Sequence, residues 1–276
     1  MTESVLEVSE VSKSFRGTTV LDSCSFELQR GSITALVGSN GAGKTTLMSV
    51  IVGLLSPDSG SVTVLGNTVG DRGIAPGLSY LAQHKPLFAR FTVAEILRFG
   101  RATNDMWDDA YASRIVDEAG IATTSRIRTL SPGQRTRVAV ALVLGRLPEI
   151  VLLDEPLADL DPVARRAVAQ TLMRDAAERG TTIVLSSHVL AELVDVADRL
   201  LLLRGGSMQL DGETEDIVNG HHVHIDPDQP PSGDIIGSTI GSASTTHVVR
   251  GPRPTDVRTS PATLDDVVLA YLGEVS

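Results

Sequence analysis

The stretch ITALVGSNGAGKTTLMSVIVGLL, residues 33–55, decides the fold of this chain. It opens with a short continuous apolar run, Ile33–Val37, which is typical of a strand covered on both faces. The next eight residues, GSNGAGKT at positions 38–45, fit the pattern G-x-x-x-x-G-K-[ST], and a helical pattern follows them. A strand, a glycine-rich loop and a helix in this order predict a loop that binds phosphate groups. The alternative is a glycine turn that carries an exposed lysine.

Each residue type in this loop has a physical reason to be there. Glycines at 38, 41 and 43 permit backbone angles that turn successive N–H groups toward phosphates. Lys44 is expected to reach the β- and γ-phosphates of a nucleotide, and Thr45 offers its hydroxyl to Mg²⁺. The predicted phosphate-contacting residues are therefore Gly38, Ser39, Asn40, Gly41, Ala42, Gly43, Lys44, Thr45 and Thr46.

A second apolar run ends in two carboxylates, in EIVLLDEP at residues 149–156. In open α/β folds ligands bind at the carboxyl ends of the strands, so Asp154 is expected beside the phosphate loop as a partner of Mg²⁺. Glu155 follows directly and is predicted to act as general base on an attacking water, a role typically worth about 10²- to 10⁴-fold. The alternative is an acidic pair that caps a helix after the strand.

The segment LSPGQ, residues 130–134, has the composition of a helix N-terminus. Ser131 suits the N-cap, Pro132 the first helical position, and Gln134 the capping-box position. Unpaired N–H groups and the positive end of the helix dipole also make such a terminus an anion site. Spacing alone leaves both interpretations open.

Composition excludes several classes of protein. The chain has 276 residues, 42% of them hydrophobic, which excludes a disordered or fibrous protein. Its one cysteine, Cys24, permits neither an internal disulfide nor a cysteine-based zinc cluster, and a reducing compartment is expected. The net charge of −10 argues against broad nucleic-acid binding. No stretch reaches the roughly eighteen apolar residues of a membrane span, so direct membrane insertion is not expected.

The charge is unevenly distributed along the chain. From Gly205 onward there are 11 acidic and 3 basic residues, a local charge of −8, which leaves −2 for the first 204 residues. The break in composition predicts a domain boundary there. Before it, apolar runs at 150–153, 183–185 and 200–203 alternate with helical patterns, as in a buried, mostly parallel sheet. Helix starts are predicted at Thr92, with Glu95 completing a capping box, and at Asp161, which Pro162 follows.

Further motifs complete a family pattern in order along the first 204 residues. Gln83 lies in YLAQHKPLF, LSPGQ follows it, ADLD ends at Asp161, and His188 lies in VLSSHVL. Together with the phosphate loop and the DE pair, they resemble the nucleotide-binding subunit of an ATP-binding cassette (ABC) transporter. The family usually has glycine where this chain has Pro132, and Ala158 and Asp159 stand where serine and alanine are common.

The resemblance implies a fold and a division into domains. The fold class is α/β, a P-loop NTPase core with a mostly parallel sheet, an antiparallel β subdomain and a helical subdomain at about residues 85–146. These parts form an ATP-binding domain over residues 1–204. Residues 205–276 are expected to form a small α+β accessory or regulatory extension, which resembles the C-terminal domains of ABC-2 type exporters. In this extension HHVHID is predicted as an exposed strand whose histidines bind no metal, and TLDDVVLAYL as a helix.

The resemblance also assigns roles within an ATP site. Lys44, Glu155 and His188 are the implied catalytic residues, and Thr45, Gln83 and Asp154 the implied ligands of Mg²⁺. Phe15 is expected to stack on the adenine, although a core phenylalanine at a strand end is a serious alternative. The signature segment implied to contact the ATP of a partner subunit comprises Leu130, Ser131, Pro132, Gly133 and Gln134, and Asp161 belongs to the D-loop.

The implied function is an ATPase subunit that powers a separate transmembrane permease, with export of a small molecule as the expected direction. Two copies would pair head to tail on binding ATP, at the cytoplasmic face of the membrane and without nucleic acid. One alternative is a non-transport ABC ATPase that acts on a macromolecular partner, but this acidic chain shows no long coiled coil and only one cassette. Another is a small-molecule P-loop kinase, which leaves LSPGQ and His188 unexplained.

Overall fold

A computed structural model of the chain describes residues 4–70, 74–226, 231, 233–240, 245–254 and 258–273. The strands in these ranges are β1 (Ser4–Phe15), β2 (Thr18–Gln29), β3 (Ile33–Val37), β4 (Ser59–Val64), β5 (Asn67–Thr68), β6 (Leu78–Leu81), β7 (Ile150–Leu153), β8 (Thr182–Ser187), β9 (Arg199–Arg204), β10 (Ser207–Glu213), β11 (His221–Asp226), β12 (Asp234–Ile240), β13 (Thr245–Arg250) and β14 (Thr259–Pro261). The helices are α1 (Lys44–Ile51), α2 (Val93–Thr103), α3 (Asp109–Asp117), α4 (Pro132–Leu144), α5 (Pro162–Arg179), α6 (Thr214–Asn219) and α7 (Leu264–Leu272).

A six-stranded sheet in the order β10-β9-β3-β8-β7-β6 forms the centre of the fold. All its pairings are parallel except that of β9 with β10. Every residue of β3, β7 and β8 is buried, which is why these strands read as continuous apolar runs. The predicted α/β fold class with a mostly parallel sheet is confirmed. The parallel alignment brings the carboxyl ends of β3, β7 and β8 to one edge.

An antiparallel sheet in the order β2-β1-β4-β5 lies beside the central sheet. Its buried side chains pack with α1 and with one face of the central sheet in a single apolar cluster, which includes Leu6, Leu28, Leu47, Met48 and Leu152. The cluster fixes α1 between the two sheets. The predicted antiparallel β subdomain is therefore present.

The helices α2, α3 and α4 lie between β6 and β7, within the predicted span of 85–146. The capping box of Thr92 with Glu95 forms as predicted, and Asp161 caps α5 by accepting two backbone N–H groups. Two buried contacts tie these helices to α5. The Tyr111 hydroxyl donates to Asp175 at 2.5 Å, and the Arg137 guanidinium donates to the Ala167 carbonyl at 2.6 Å.

The central sheet continues beyond the predicted boundary at residue 205. Gly205 and Gly206 form the turn of the β9–β10 hairpin, both with positive φ, and β10 is an edge strand of the central sheet. The third sheet, in the order β12-β13-β11-β14, begins only at His221. The acidic part of the chain therefore begins before this sheet does, and the strand β10 and the helix α6 lie between the two points.

The C-terminal sheet packs on the rest of the chain through α7. Buried side chains of α7, including Val267 and Tyr271, belong to the same apolar cluster as Leu190, Leu193 and Leu202. Among the described residues, no helix is long and apolar enough to cross a membrane.

The predicted exposure of the histidine-rich strand β11 is wrong at its start. His221 is 7% exposed and His222 is 4% exposed. The cost of burying His221 is offset because Ile217 and Tyr271 supply hydrogen-bond partners for both ring nitrogens. The described residues contain no group of three or more His, Cys, Asp or Glu side chains that could hold a metal ion.

Candidate functional site

The glycine-rich loop connects β3 to α1 at the carboxyl edge of the central sheet. Gly41 and Gly43 have φ values of 84° and 109°, which residues with a side chain rarely adopt. Gly38 is required for a different reason, since a Cβ atom there would lie 2.4 Å from the Leu203 carbonyl oxygen of β9. Two of the three glycines thus supply the predicted backbone freedom, and the third permits close packing.

Lys44 is the first residue of α1, and only 6% of it is exposed. Its ammonium group donates to the carbonyl of Gly38 at 2.7 Å and lies 3.3 Å from that of Ser39. It is also 3.5 Å from Oε1 of Glu155. The loop therefore wraps around its own lysine and keeps a positive charge at its centre.

Asp154 follows β7 and is completely buried. One carboxylate oxygen accepts the Thr45 hydroxyl at 2.7 Å, and the other accepts the Ser186 hydroxyl at 2.6 Å. The Tyr80 hydroxyl also faces Asp154, and burial, the Asp154 charge and their hydrogen bond raise the pKa of Tyr80 to about 12. The adjoining oxygens of Thr45 and Asp154 form a hard-donor pair of the kind that Mg²⁺ prefers, so these residues fit the metal.

Glu155 lies between the lysine and the histidine. It has a positive φ of 46°, and its backbone N–H donates to the Ser186 hydroxyl at 2.8 Å. One carboxylate oxygen is near Lys44, and Oε2 lies 2.7 Å from Nδ1 of His188. Glu155 is 6% exposed, whereas the His188 side chain is 38% exposed. A carboxylate held in this way can accept a proton from a water at the cavity, and an imidazole beside it can face the same water or an anion.

A cavity of about 240 Å³ opens beside this cluster. We call it the nucleotide cavity. Its lining includes most of the predicted phosphate-contacting residues, together with Glu155, Gln83 and Val20 of β2. The complete lining is Val20, Asn40, Gly41, Ala42, Gly43, Lys44, Thr45, Thr46, Gln83 and Glu155.

Five of the predicted ATP-site residues do not line the nucleotide cavity: Phe15, Gly38, Ser39, Asp154 and His188. Gly38 and Asp154 are buried. Ser39 is exposed on the loop, and His188 contacts Glu155, which lines the cavity. Phe15 ends β1, is 41% exposed, and has the Lys13 ammonium 5.7 Å from its ring centroid. Val20, on the strand that returns from the same hairpin, does line the cavity. The partial exposure of Phe15 contradicts the core alternative, and its stacking on the adenine stays a prediction.

The LSPGQ segment forms the predicted N-terminus of α4. Ser131 is the N-cap, its hydroxyl accepts the N–H of Gln134 at 3.2 Å, and the Gln134 side chain accepts the N–H of Ser131 at 3.1 Å. Pro132 occupies the first helical position, where its missing N–H leaves no partner unpaired. Leu130 is 7% exposed and anchors the segment.

A second cavity, of about 300 Å³, lies at this helix start, and we call it the signature cavity. Ser131, Gly133 and Gln134 line it together with Asp161 and residues of α5, and it shares no lining residue with the nucleotide cavity. Gly133 packs closely on α5, because a Cβ there would lie 2.7 Å from Cβ of Ala164. Within one chain, the signature segment and the phosphate loop therefore do not form one cavity.

Three exposed phenylalanines between residues 88 and 99 cluster together, and we call them the aromatic patch. Phe88, Phe91 and Phe99 are 52%, 38% and 43% exposed. The ring of Phe88 lies 5.0 Å from that of Phe91 and 5.3 Å from that of Phe99 between centroids. Exposed apolar groups of this kind mark interaction sites on soluble surfaces.

Sequence reasoning missed Ser186 and Tyr80. Ser186 binds both Asp154 and the backbone of Glu155, and Tyr80 faces Asp154 from the neighbouring strand. The only signal for Ser186 was a polar residue at the end of an otherwise apolar run before His188.

Comparison with known proteins identifies close relatives. The family model described as "ABC transporter" matches residues 21–158. An Fe(3+) ions import ATP-binding protein of Rhodococcus jostii is 34% identical over 252 residues, covering 85% of this chain and 68% of that protein. A Nod factor export ATP-binding protein of Rhizobium etli is 33% identical over 223 residues, covering 78% of this chain and 70% of that protein. A solved ATP-binding subunit of an ABC transporter has a TM-score of 0.69 at 28% identity, covering 77% of this chain and 91% of that chain.

Proposed function

Because the chain belongs to the family of ABC transporter ATP-binding subunits, we propose that Lys44, Glu155 and His188 carry out the ATP hydrolysis that drives a membrane permease. The protein is an ATPase that uses ATP with Mg²⁺. The observation that carries the residue assignment is the position of Glu155, buried between Lys44 at 3.5 Å and His188 at 2.7 Å beside the nucleotide cavity.

Different residues at the cavity have different proposed roles in ATP binding and hydrolysis. Backbone N–H groups of the loop and the Lys44 ammonium bind the β- and γ-phosphates and neutralise charge on the transferred phosphoryl group. Glu155 orients the attacking water and takes its proton, and His188 faces the γ-phosphate. Thr45, Asp154 and Gln83 would hold Mg²⁺, which neutralises phosphate charge when bound. Phe15 would stack on the adenine.

The signature segment acts on a second subunit. Since the two cavities of one chain share no residue, the N-terminus of α4 is free to bind the γ-phosphate held by a partner copy. Ser131 and the N–H of Gly133 would make these contacts, and Asp161 would lie at the same interface. This arrangement is a head-to-tail dimer with two composite ATP sites.

The permease is proposed to bind at the aromatic patch. Phe88, Phe91 and Phe99 follow Gln83, which lines the nucleotide cavity, so a partner seated on the patch can affect the nucleotide. The helical subdomain of residues 85–146 and the Gln83 loop supply the groove. The complex would lie at the cytoplasmic face of the membrane.

The direction of transport is a separate proposal. Export was expected from the resemblance of residues 205–276 to the C-terminal domains of ABC-2 type exporters. The Nod factor relative of Rhizobium etli, named for export, supports it. The relative from Rhodococcus jostii, named for Fe(3+) import, favours the opposite direction at similar identity. Direction therefore has to be measured with the permease.

Capture of the partner tests the function. Tagged Glu155→Gln protein, incubated with Mg-ATP and native membranes in mild detergent, is expected to retain a polytopic membrane protein. The matched control is a Phe88→Ser/Phe99→Ser double variant in the same background, which is expected to bind ATP normally and to lose the membrane partner. Recovery of ribosomes, DNA-repair factors or the chain alone would contradict the permease proposal. Reconstitution of the recovered complex in vesicles then gives the direction.

A further inference from the structure

Glu192 is a buried carboxylate that lies outside the nucleotide cavity. It ends a short 3-10 turn, Leu190–Glu192, four residues after His188, and only 8% of it is exposed. Its Oε2 accepts the Ser187 hydroxyl at 2.9 Å, and its Oε1 lies 3.0 Å from the Arg165 guanidinium. Both carboxylate oxygens are thus paired. A buried carboxylate with both oxygens paired is held in one orientation, because an unpaired oxygen there would be costly.

Ser187 connects Glu192 to the backbone on both sides of His188. Ser187 directly precedes the histidine, and its hydroxyl oxygen accepts the N–H of Val189 at 2.9 Å. The hydroxyl has one proton and a competing acceptor, the Val189 carbonyl at 3.1 Å. Because Glu192 accepts the hydrogen bond from this hydroxyl, the hydroxyl keeps one orientation and so does the backbone segment that carries His188. In that orientation Nδ1 of His188 lies 2.7 Å from Oε2 of Glu155.

Arg165 holds Glu192 from the other side. It lies in the first turns of α5, four residues after Asp161, and also donates to the Leu160 carbonyl at 3.4 Å. Asp161 lines the signature cavity. The Arg165–Glu192 ion pair therefore joins the segment that borders the signature cavity to the segment that carries His188.

We propose that Glu192 is a positioning residue for ATP hydrolysis, which fixes His188 through Ser187 and is itself held by Arg165. This proposal rests on the function proposed above, since it requires His188 to act on the nucleotide. Loss of Glu192 should lower kcat, because His188 would no longer be held in position. The KM for ATP should stay unchanged, because Glu192 does not line the nucleotide cavity.

Substitution of Glu192 separates positioning from stability. Glu192→Ala is expected to lower kcat about 10- to 100-fold, the range for a catalytic group displaced by about 1 Å, with KM within about twofold of wild type. Glu192→Gln keeps an acceptor for Ser187 and a similar volume, and should recover a large part of kcat. The matched control is Asp211→Asn, which removes the half-buried partner of Arg199 in the β9–β10 hairpin and should leave kcat unchanged.

A double-mutant cycle tests whether Glu192 acts through His188. His188→Ala alone should lower kcat, and adding Glu192→Ala should lower it no further. Wild-type kcat in Glu192→Ala, an equal loss in Asp211→Asn, or full additivity with His188→Ala would each overturn the positioning role. Wild-type kcat in His188→Ala would instead overturn the proposed function at this residue. Thermal melting of every variant identifies losses caused by unfolding. If Glu192→Ala does not fold, Ser187→Ala supplies the measurement, because it removes the hydroxyl that joins Glu192 to the His188 segment and should lower kcat in the same way.

Discussion

Ser186 shows how one hydroxyl organises the acidic pair. It donates to Asp154 at 2.6 Å and accepts the N–H of Glu155 at 2.8 Å, and it is completely buried. The two acidic residues lie after β7, whereas Ser186 belongs to β8, so the bond locks the end of one strand to the next. The backbone of Glu155, which has a positive φ, is held by this contact.

Replacing Ser186 should therefore cost both stability and turnover. Ser186→Ala removes the hydroxyl that a buried N–H and a buried carboxylate oxygen both bind, which is expected to lower the free energy of unfolding by about 1–3 kcal/mol. Because Asp154 and Glu155 lose their fixed orientation, kcat should fall at least about 10-fold. Urea unfolding and phosphate-release assays measure the two effects.

Ser79→Ala is the matched control for this prediction. Ser79 is also a buried serine of the central sheet, but its hydroxyl has no hydrogen-bond partner in the described part of the chain. Its removal should leave stability and kcat close to wild type. Equal effects of the two substitutions would show that Ser186 does not organise the acidic pair.

The carboxylate of Glu155 is the proposed general base of the site. Glu155→Gln keeps the size of the side chain but removes the basic carboxylate, so turnover should fall by about 10²- to 10⁴-fold while ATP affinity is preserved. A fluorescent-nucleotide titration and a phosphate-release assay give the two quantities. Glu149→Gln, at an exposed carboxylate before β7, is the control. Normal turnover in Glu155→Gln would remove Glu155 from the role of general base.

The elements β11, β13 and α7 meet at a buried histidine. Nδ1 of His221 donates to the Ile217 carbonyl at 2.7 Å, and Nε2 accepts the Tyr271 hydroxyl at 3.2 Å. The same hydroxyl accepts from Arg250 at 2.9 Å. Burial lowers the pKa of His221, as do the Arg250 and His222 charges, while the bond to Ile217 and the Asp234 charge oppose this effect.

This lowered pKa makes the stability of the C-terminal sheet depend on pH. The unfolded chain protonates its histidine as the pH falls through about 6.5, whereas folded His221 stays neutral until a lower pH. The free energy of unfolding should therefore decrease as the pH falls below about 6.5. His221→Asn, which keeps a donor toward Ile217, should reduce this decrease. Urea unfolding between pH 8 and 5.5 measures it, with exposed His84→Asn as control. An unchanged pH slope in His221→Asn would contradict the prediction.

The elements that the sequence predicted best are those set by local rules. β3 and β7 match their apolar runs residue for residue, and the caps at Thr92, Ser131 and Asp161 follow from side chains within three residues of each helix start. The charge pattern predicts a boundary at Gly205, but the central sheet continues past it, because the pairing of β10 with β9 depends on the sheet rather than on charge. Ser186 and Glu192 were missed for the same reason, since their partners come from other elements.

The two cavities of the chain are separate, and this separation decides whether one chain or two would complete an ATP site. The phosphate loop supplies positive charge and N–H groups from β3 and α1, and the signature segment supplies a helix N-terminus from α4. Neither cavity contains the other's residues. In the proposed head-to-tail dimer, two copies would complete both sites at once, and ATP binding would then be coupled to dimer closure.

A charge placed at Ser131 tests this arrangement without breaking the helix. Aspartate is as good an N-cap as serine, so Ser131→Asp should preserve α4 and add a negative charge where the partner's γ-phosphate would bind. In the Glu155→Gln background with Mg-ATP, Ser131→Asp should stay a 29.2 kDa monomer by size exclusion with light scattering, with its affinity for ATP unchanged.

Ser131→Asn provides the matched neutral control at the same position. Asparagine caps the helix equally well and carries no charge, so in the same background it should still dimerise when Mg-ATP is added. An ATP-dependent dimer of Ser131→Asp would contradict the composite site, because like charges cannot be brought together across the γ-phosphate without cost. Loss of ATP binding by the Ser131→Asp monomer would contradict it as well, since that result would place Ser131 in the nucleotide site of its own chain.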